Sequence, residues 1–236
     1  MRMKKCALTA LAYVLVAGFF LSAAWFGSRA VTAMAQRTPV ARSRTIVIDP
    51  GHGGEDGGAV SCTGVSEKQI NLEIALGLDD LFHLLGWKTH MTRQDDISVY
   101  TTGQTIAQRK ISDLKERVNM VNSTENPILI SIHQNLYPES QYRGAQVFYG
   151  PSGDSEPLAR TMQEAFTHTL NLGSQRQIKK ATGIYLMEQS RSTGILVECG
   201  FLSNPQEEAL LRSRDYQQKI CCVIVATAAN FLDGQT

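Results

Sequence analysis

Three short apolar runs in this chain are each followed, within four residues, by a side chain that can bind a metal ion or move a proton. The pairs are 45–48 with His52, 128–132 with His133, and 195–197 with Glu198. Short runs rich in β-branched residues predict buried strands. Because ligands bind at the carboxyl ends of strands in open α/β sheets, we expect these three side chains to converge on one site.

Helical patterns lie between these strands and after the last one. The predicted helices cover residues 66–85, 113–122, 156–170, 206–212 and 215–232, and further strands are predicted at 87–92, 144–149 and 184–187. Strands that alternate with helices are typical of an α/β fold. We therefore predict a mixed, largely parallel sheet with helices on both faces, of the phosphorylase/hydrolase-like type and preceded by an N-terminal hydrophobic helix.

Three local patterns add detail to this fold. Ser66 and Gln69 are spaced as in a capping box, which predicts a side-chain cap at the start of the first long helix. Residues 94–112 are polar and irregular, and we expect them to form a surface loop. Residues 173–182 are predicted to form a mobile basic loop that carries Arg176, Lys179 and Lys180.

The first 26 residues differ from the rest of the chain. Three basic residues precede residues 6–26, a run of 21 residues without a charge. At about 1.5 Å per residue, such a helix spans the ~30 Å hydrocarbon core of a bilayer. Residues 1–26 are therefore expected to be a membrane anchor or a signal segment, and the small residues at 33–35 leave cleavage open. The basic end should stay in the cytoplasm, which places the remainder outside.

The remaining residues divide into a linker and one folded domain. Residues 27–43 are small, polar and without periodicity, which is typical of a linker, and residues 44–236 are predicted to form the domain. The formal net charge of +1 argues against nucleic acid as a partner. The five cysteines form neither a disulfide framework nor a CxxC zinc pattern.

The polar residues expected at the sheet edge have both a chemical and a structural interpretation. Two imidazoles and one carboxylate, from His52, His133 and Glu67, suit a zinc site that keeps a fourth position for water. Glu198 is then a candidate general base and proton donor. Alternatively, each histidine is an ordinary structural residue, and Glu67 stabilises the positive end of its helix. Burying Glu198 without a partner is costly, which favours a functional role for it.

Three segments resemble the motifs of a known enzyme family. Residues 46–59, with the sequence IVIDPGHGGEDGGA, resemble the opening motif of the zinc-dependent N-acetylmuramoyl-L-alanine amidases of the amidase-3 type. Residues 131–135 (SIHQN) resemble the second histidine motif, and residues 196–205 (LVECGFLSNP) resemble the catalytic glutamate motif. Glu67 falls where that family has its glutamate ligand. The resemblance covers residues 44–232.

The resemblance implies an activity and a role for each of the four polar residues. The chain would hydrolyse the amide bond between the lactyl group of N-acetylmuramic acid and the L-alanine of peptidoglycan stem peptides. One Zn²⁺ ion would be held by His52, Glu67 and His133. Glu198 would be the catalytic glutamate.

Two further residues match positions common in the family. Asn135 and Arg117 are candidate substrate-binding residues. Alternatively, Asn135 braces the loop at His133, and Arg117 supports the fold. By the same resemblance, residues 44–236 form the zinc amidase catalytic domain, and the partner is peptidoglycan glycan strands with their stem peptides.

The chain resembles one branch of the family more closely, the sporulation-associated cortex amidases of the CwlD type. The segments that carry this likeness are 109–117, 144–149 and 183–188. In that branch, removal of peptide from muramic acid precedes deacetylation and the closure of muramic-δ-lactam in the spore cortex. The resemblance implies functional pairing with a muramic acid deacetylase. It also implies a location at the outer face of the cytoplasmic membrane, in the wall or in the forespore intermembrane space.

Two alternative functions fit the same residues. A zinc carboxypeptidase or endopeptidase would cleave the stem peptide itself, whereas a catalytically idle protein would only bind peptidoglycan. The complete set of candidate ligands and Glu198 argues against an idle protein. A serine hydrolase is disfavoured because the chain has no Gly-x-Ser-x-Gly motif. Cys199 is disfavoured as a nucleophile because it follows Glu198 on a strand and should point to the other face.

Overall fold

The computed structural model describes residues 43–61 and 63–234, so the predicted anchor at 1–26 and the linker before residue 43 lie outside the described residues. Within the described residues, six strands form one sheet: β1 (Thr45–Pro50), β2 (Lys88–Met91), β3 (Pro127–Asn135), β4 (Gln146–Tyr149), β5 (Lys179–Lys180) and β6 (Thr193–Phe201). The same part of the chain contains six helices: α1 (Glu67–Leu84), α2 (Ile106–Ser123), α3 (Ser155–Thr169), α4 (Tyr185–Gln189), α5 (Pro205–Leu211) and α6 (Arg214–Asp233). No helix in these two ranges combines the length and the apolar character needed to span a bilayer.

The sheet is mixed and largely parallel, which confirms the predicted fold class. Its strand order is β2-β1-β3-β6-β4-β5. β1 pairs in parallel with β2 and with β3, and β3 pairs in parallel with β6, whereas β4 runs antiparallel to β6 and parallel to β5. The central strands are nearly continuous apolar runs because both of their faces are covered. β1, for example, contributes three consecutive buried core residues: Ile46, Val47 and Ile48.

Helices cover both faces of the sheet, and each face has its own hydrophobic cluster. The larger cluster joins α1, α3 and α6 to the sheet through residues such as Ile74, Leu158 and Ile224. The smaller cluster joins α2 and α4 to the opposite face, where Val121 and Met187 are fully or almost fully buried. Truncating a buried aliphatic side chain to alanine costs about 2–5 kcal/mol, so each cluster fixes its helices firmly.

The alternation of side chains along the strands carries polar residues to the α2 face. Leu129 and Leu196 belong to the smaller cluster, on β3 and β6. His133 lies four positions after Leu129, and Glu198 lies two positions after Leu196, so each points to the same face as its leucine. Beyond the ends of α2 and α4, this face of the sheet therefore presents polar groups instead of a core.

Helix α2 begins at Ile106, seven residues before the predicted start, and residues 94–112 are not all loop. Thr105 caps this helix. Its side chain accepts the N–H of Gln108, and the Gln108 side chain accepts the N–H of Thr105. This capping box satisfies two donors at the helix terminus, and it lets the polar sequence that follows form a helix. The surface loop is therefore shorter than predicted and ends at Thr105.

The predicted capping box at the start of α1 is wrong. Ser66 precedes the helix, but its side chain makes no capping hydrogen bond. The first backbone donors are accepted instead by the glycine-rich loop, because Glu67 N donates to Ala59 O and Lys68 N donates to Gly57 O. The loop after β1 is thereby attached directly to the turn that carries Glu67.

Two short segments between β4 and β6 in the sequence also differ from the prediction. Residues 184–187 were expected to be a strand, but they overlap helix α4, in which Glu188 N donates to Ile184 O and the Glu188 side chain accepts Gly183 N. The basic segment 173–182 is not entirely a loop, because Lys179 and Lys180 form β5 beside β4. A short apolar or polar run carries too little periodicity to separate a strand from a helix or a loop.

Candidate metal centre and active site

His52, Glu67 and His133 come together at the carboxyl end of the sheet. His52 lies in the loop after β1, Glu67 opens α1, and His133 lies near the end of β3. His52 Nε2 is 3.2 Å from Glu67 Oε2, and His133 Nδ1 is 2.9 Å from Glu67 Oε1. One ligand atom from each of the three residues lies within 4.8 Å of the others. The structure thus brings together the three residues predicted as metal ligands.

The three ligand atoms fit a single small cation. Around a tetrahedral zinc ion, ligand atoms at about 2.1 Å from the metal lie roughly 3.4 Å from one another. The two histidine nitrogens lie 3.2 and 2.9 Å from the two different oxygens of Glu67, Oε2 and Oε1, and one ligand atom from each residue lies within 4.8 Å of the others, a spacing that one ion can bridge. Two imidazole nitrogens and one carboxylate oxygen also leave a coordination position for water. The site can therefore hold a metal ion.

Glu67 is held firmly in place before any metal is considered. Its side chain is buried, and its carboxylate accepts hydrogen bonds from the backbone N–H groups of Ala59 and Gln134 and from the side-chain amide of Asn71. Burial would raise the pKa of Glu67, but the hydrogen bonds with the two histidines outweigh it and hold the pKa well below its usual range. Glu67 is therefore a fixed anion at the centre of the cluster.

His52 is aimed at Glu67 by its backbone and by Asp56. Its φ of 62° lies in the left-handed region that residues other than glycine seldom occupy. His52 Nδ1 is 2.9 Å from Asp56 Oδ2, which turns Nε2 toward Glu67, and Asp56 Oδ1 is 2.7 Å from Lys110 Nζ. Burial would lower the pKa of His52, but the bonds to Asp56 and Glu67 raise it to about 9. Burial likewise opposes ionisation of Asp56, yet His52 and Lys110 hold its pKa well below the usual range.

Two glycines allow the side chains of His52, Glu67 and His133 to approach the loop closely. A Cβ atom at Gly51 would lie 2.2 Å from the His133 ring. A Cβ atom at Gly58 would lie 2.6 Å from Glu67 Oε2 and 2.7 Å from the His52 ring, and Gly58 also has a φ of 67°. Neither position accepts a larger residue unless one of these three side chains moves.

Glu198 faces this cluster from β6, in register with His133 on β3. Its Oε2 atom is buried and has no hydrogen-bond partner among the described residues. Burial raises the pKa of Glu198 to about 7, against the opposing charges of the two histidines. A carboxyl group whose pKa lies near neutrality can both accept and donate a proton. The chemistry of this position therefore suits proton transfer.

Arg117 lies buried under the loop that carries His52. Its guanidinium donates to the carboxylates of Asp49 and Asp113 at 2.7 and 2.6 Å, to Pro50 O at 2.9 Å and to His52 O at 2.7 Å. Burial would lower the pKa of Arg117, but the two aspartates outweigh it and raise the pKa. These contacts position the backbone of His52, while a direct contact of Arg117 with substrate stays a prediction.

Asn135 follows His133 by two positions at the end of β3. Its backbone carbonyl accepts a hydrogen bond of 2.8 Å from Leu202 N, which ties the end of the strand to the segment after β6. Asn135 also lines a pocket on the side of β4 and β5. A contact with substrate is compatible with that location and stays a prediction.

Two residues of the site were missed from the sequence. Asp56 fixes the ring of His52, and Asn71 Nδ2 lies 3.2 Å from both Glu67 Oε1 and Gly51 O. The available signal for Asn71 was its position one helical turn after Glu67, where side chains share a face. No periodicity relates residues within a loop, so the pairing of Asp56 with His52 had no comparable signal.

Comparison with protein families and curated proteins agrees with this geometry. Residues 46–230 match the amidase-3 family, described as N-acetylmuramoyl-L-alanine amidase. A germination-specific N-acetylmuramoyl-L-alanine amidase of Bacillus subtilis (strain 168) is 39% identical over 183 residues, which are 77% of this chain and 76% of the relative. The region that matches the family, residues 46–230, includes His52, Glu67, His133 and Glu198.

Solved structures share the fold over the same region. The CwlD amidase of Clostridioides difficile, in complex with the GerS lipoprotein, has a TM-score of 0.77 and 36% identity, and the match covers 80% of this chain and 98% of that one. An N-acetylmuramoyl-L-alanine amidase from Clostridium difficile 630 has a TM-score of 0.72 and 29% identity, over 83% and 100% of the two chains. The chain belongs to the amidase-3 family of N-acetylmuramoyl-L-alanine amidases, hydrolases that act on peptidoglycan.

Proposed function

We propose that the chain is a single-zinc amidase in which His52, Glu67 and His133 hold the ion. When bound there, zinc polarises a substrate carbonyl and lowers the pKa of water. The donor set supports this choice, since two imidazoles and one carboxylate are typical of zinc sites with an open position. Asp56 supports it further, because a carboxylate that fixes the second nitrogen of a ligating histidine is the usual outer partner of such a site.

Glu198 is proposed as the residue that transfers the proton. The observation that carries this role is its buried Oε2 atom. This atom lies next to the ligand cluster and has no hydrogen-bond partner among the described residues. The carboxylate takes a proton from the attacking water and then donates it to the nitrogen of L-alanine as the amide bond breaks. The products are a stem peptide with a free amine and a muramic acid with a free lactyl carboxylate.

Product analysis separates this function from its two alternatives. Wild-type protein incubated with muropeptides should release intact stem peptide and peptide-free glycan, as identified by mass spectrometry. A zinc peptidase would shorten the stem peptide instead, and an idle peptidoglycan-binding protein would release no amine. Glu198→Gln should keep the metal content of the wild type and release product about 10²- to 10⁴-fold more slowly, whereas His133→Ala should lose the metal. Undiminished cleavage by Glu198→Gln would overturn the role of Glu198.

We also propose that the enzyme acts on the spore cortex. The germination-specific relative and the similarity to the CwlD structure support this role. Hydrolysis exposes the lactyl carboxyl group. Once a muramic acid deacetylase has removed the neighbouring acetyl group as acetate, the freed amine condenses with this carboxyl group, with loss of water, to give muramic-δ-lactam. Deletion of the gene should therefore remove muramic-δ-lactam from cortex digests. The wild-type gene should restore it and the Glu198→Gln gene should not, while a cortex that keeps the lactam after deletion would contradict this role.

We propose that residues 1–26 hold the domain at the outer face of the cytoplasmic membrane, with residues 27–43 as the linker to it. The uncharged run at 6–26 behind a basic start supports this, and the substrate lies on that side of the membrane. The full chain should stay with membranes after carbonate extraction, and a chain that begins at residue 27 should not. A mature N-terminus near residue 36 would show cleavage and release instead.

A further inference from the structure

Two pockets flank the ligand cluster along the row of strands. The strand order places β1 and β3 on one side of β6, and β4 and β5 on the other. The β1-side pocket, about 260 Å³ in volume, is lined by residues that include His52, Arg109, Lys110, Arg117 and His133. The β5-side pocket, about 240 Å³ in volume, is lined by residues that include Asn135, Tyr142, Gln146, Arg176, Lys179 and Phe201.

The cations of the two pockets differ in their partners. Those of the β1-side pocket are all paired with carboxylates: Arg109 with Glu55 at 2.6 Å, Lys110 with Asp56 at 2.7 Å, and Arg117 with Asp49 at 2.7 Å. In the β5-side pocket, neither Arg176 nor Lys179 forms an ion pair with a carboxylate of the described residues, and no acidic residue of this part of the chain lines that pocket. Glu207 attracts Arg176 only at longer range, since its own carboxylate accepts the N–H groups of Gly144 and Phe201. Of these two pockets, only the β5-side one therefore offers cations without a contacting carboxylate to an anionic ligand.

Arg176 is held in a fixed orientation. Its Nε donates to Arg143 O at 2.9 Å, and its Nη1 donates to Gln146 Oε1 at 3.1 Å. Its guanidinium carbon lies 4.4 Å from the centre of the Phe201 ring. Burial lowers the pKa of Arg176, which indicates a cation partly removed from water. A carboxylate ligand would restore the lost solvation with charge-assisted hydrogen bonds.

The position of Glu198 decides which part of the substrate reaches this pocket. Glu198 is in register with His133 on one side and with Gln146 of β4 on the other. In the proposed function, Glu198 donates its proton to the nitrogen of L-alanine. The leaving peptide therefore lies on the β4 side of the ligand cluster, and the lactyl group with the glycan lies toward the β1-side pocket.

We infer that the β5-side pocket binds a free carboxylate of the stem peptide, in a residue beyond L-alanine. This inference rests on the proposed role of Glu198. Arg176 supplies a planar donor that matches a carboxylate, and Lys179 adds a second positive charge. The enzyme should therefore prefer stem peptides whose second residue carries a free carboxyl group over those in which that group is amidated.

A matched pair of substrates tests the inference. Both are N-acetylmuramoyl peptides that differ only in the second residue of the peptide, whose α-carboxyl group is free in one and a carboxamide in the other. Zinc-loaded full-length enzyme should cleave the acid with a kcat/KM about 10- to 100-fold higher, since a hydrogen bond to a charged group is lost with the amide. Arg176→Gln and Lys179→Gln should each bring this ratio toward one, and Arg176→Lys should keep part of it.

Lys180→Gln is the matched control, because Lys180 is the exposed neighbour of Lys179 and does not line the pocket. It should leave the ratio of the two substrates as in the wild type. If Arg176→Gln fails to fold, Lys179→Gln still tests the inference, because Lys179 is exposed and its substitution should not disturb folding. A wild-type enzyme that cleaves acid and amide equally well would overturn the inference.

Binding provides a readout that does not depend on turnover. The Glu198→Gln protein should bind the acid more tightly than the amide, by a ratio similar to that of kcat/KM. If wild-type enzyme cleaves neither substrate, the amidase mechanism fails, but the binding ratio still decides whether the pocket recognises the carboxylate. Equal affinities for the two substrates would overturn the assignment of the pocket and leave the amidase mechanism intact.

Discussion

Asp49, which is buried, and Glu198, which is half-buried with its Oε2 atom buried, lie on the same face of one sheet, and their carboxyl groups behave in opposite ways. Asp49, on β1, accepts hydrogen bonds of 2.7 Å from Arg117, Thr92 and Ser131. Glu198, on β6, has a buried Oε2 atom without a partner among the described residues. Burial by itself would raise the pKa of either group. At Asp49 the hydrogen-bond partners outweigh burial and lower the pKa to about 2, whereas at Glu198 burial prevails and the pKa rises to about 7.

The difference shows that partners, rather than depth, decide what a buried acid does. Asp49 is a permanent anion that holds Arg117, and Arg117 in turn holds the carbonyl of His52. Glu198 is left near the point at which it gains and loses a proton, which is typical of acids that take part in catalysis. Substitutions at the two acids should therefore separate activity from stability.

Glu198→Gln should have the largest effect, and the effect should be on turnover. Loss of a general acid–base residue lowers kcat by about 10²- to 10⁴-fold. The free energy of unfolding should not fall, because the variant removes a buried carboxyl group without a partner. Amine release and denaturant unfolding of the same preparation measure the two quantities. A clear loss of stability at unchanged turnover would make Glu198 a structural acid like Asp49.

Arg117→Met should have the next largest effect, on stability. It leaves Asp49 as a buried charge without its cation, which costs about 3–5 kcal/mol in the free energy of unfolding. Arg160→Met is the matched control, because Arg160 forms an exposed pair with Glu156 at 2.8 Å and should cost less than about 1 kcal/mol. Denaturant titrations compare the two variants, and similar small losses would show that Asp49 does not depend on its arginine.

Asp56→Asn should weaken zinc binding on the order of 10- to 100-fold, because His52 loses the carboxylate that orients its ring. The proton on His52 competes with the metal, and the pKa of His52 is about 9. Zinc affinity of the wild type should therefore rise with pH up to about 9, and in the variant this rise should end at a lower pH.

Competition with a chromophoric chelator over a pH series measures both the affinity and its pH dependence. Asp79→Asn is the control, since it removes the carboxylate 3.5 Å from His83, outside the site. Zinc binding that is the same in Asp56→Asn and in the control would contradict the positioning role of Asp56.

The pH dependence of stability should have opposite signs for the two acids. Asp49 has a folded pKa of about 2, below its ordinary 3.8. It therefore adds about 2 kcal/mol above pH 3.8, which is lost as the pH falls through 2. Glu198 has a folded pKa of about 7, above its ordinary 4.5, so its contribution is present below pH 4.5 and lost as the pH rises through 7.

Unfolding of metal-free protein across this pH range measures the two contributions. Asp49→Asn should flatten the acid limb of the stability curve, and Glu198→Gln should flatten the limb between pH 4.5 and 7. If both variants keep the wild-type curve, the two acids do not differ as their hydrogen bonds indicate.

The local sequence predicted short or weakly periodic elements less accurately than it predicted the central strands of the sheet. Helix α2 begins at Ile106 because of a capping box at Thr105 and Gln108, a signal that was present but lay within a polar stretch. Helix α4 covers five residues, too few for its periodicity to exclude a strand. The cap expected at Ser66 does not form, because the loop after β1 already accepts the first donors of α1.

The sequence by itself predicted the central strands and the polar residues that meet at their carboxyl ends. β-branched runs set β1, β3 and β6, and parallel strands share a carboxyl edge, so His52, His133 and Glu198 had to meet there. Only the tertiary structure decided how each group is partnered. Arg117 meets His52 across 65 positions of the chain, and the unpartnered Oε2 of Glu198 depends on everything packed around it. Burial and hydrogen bonding set charge and pKa, and both are properties of the packed molecule rather than of any local pattern.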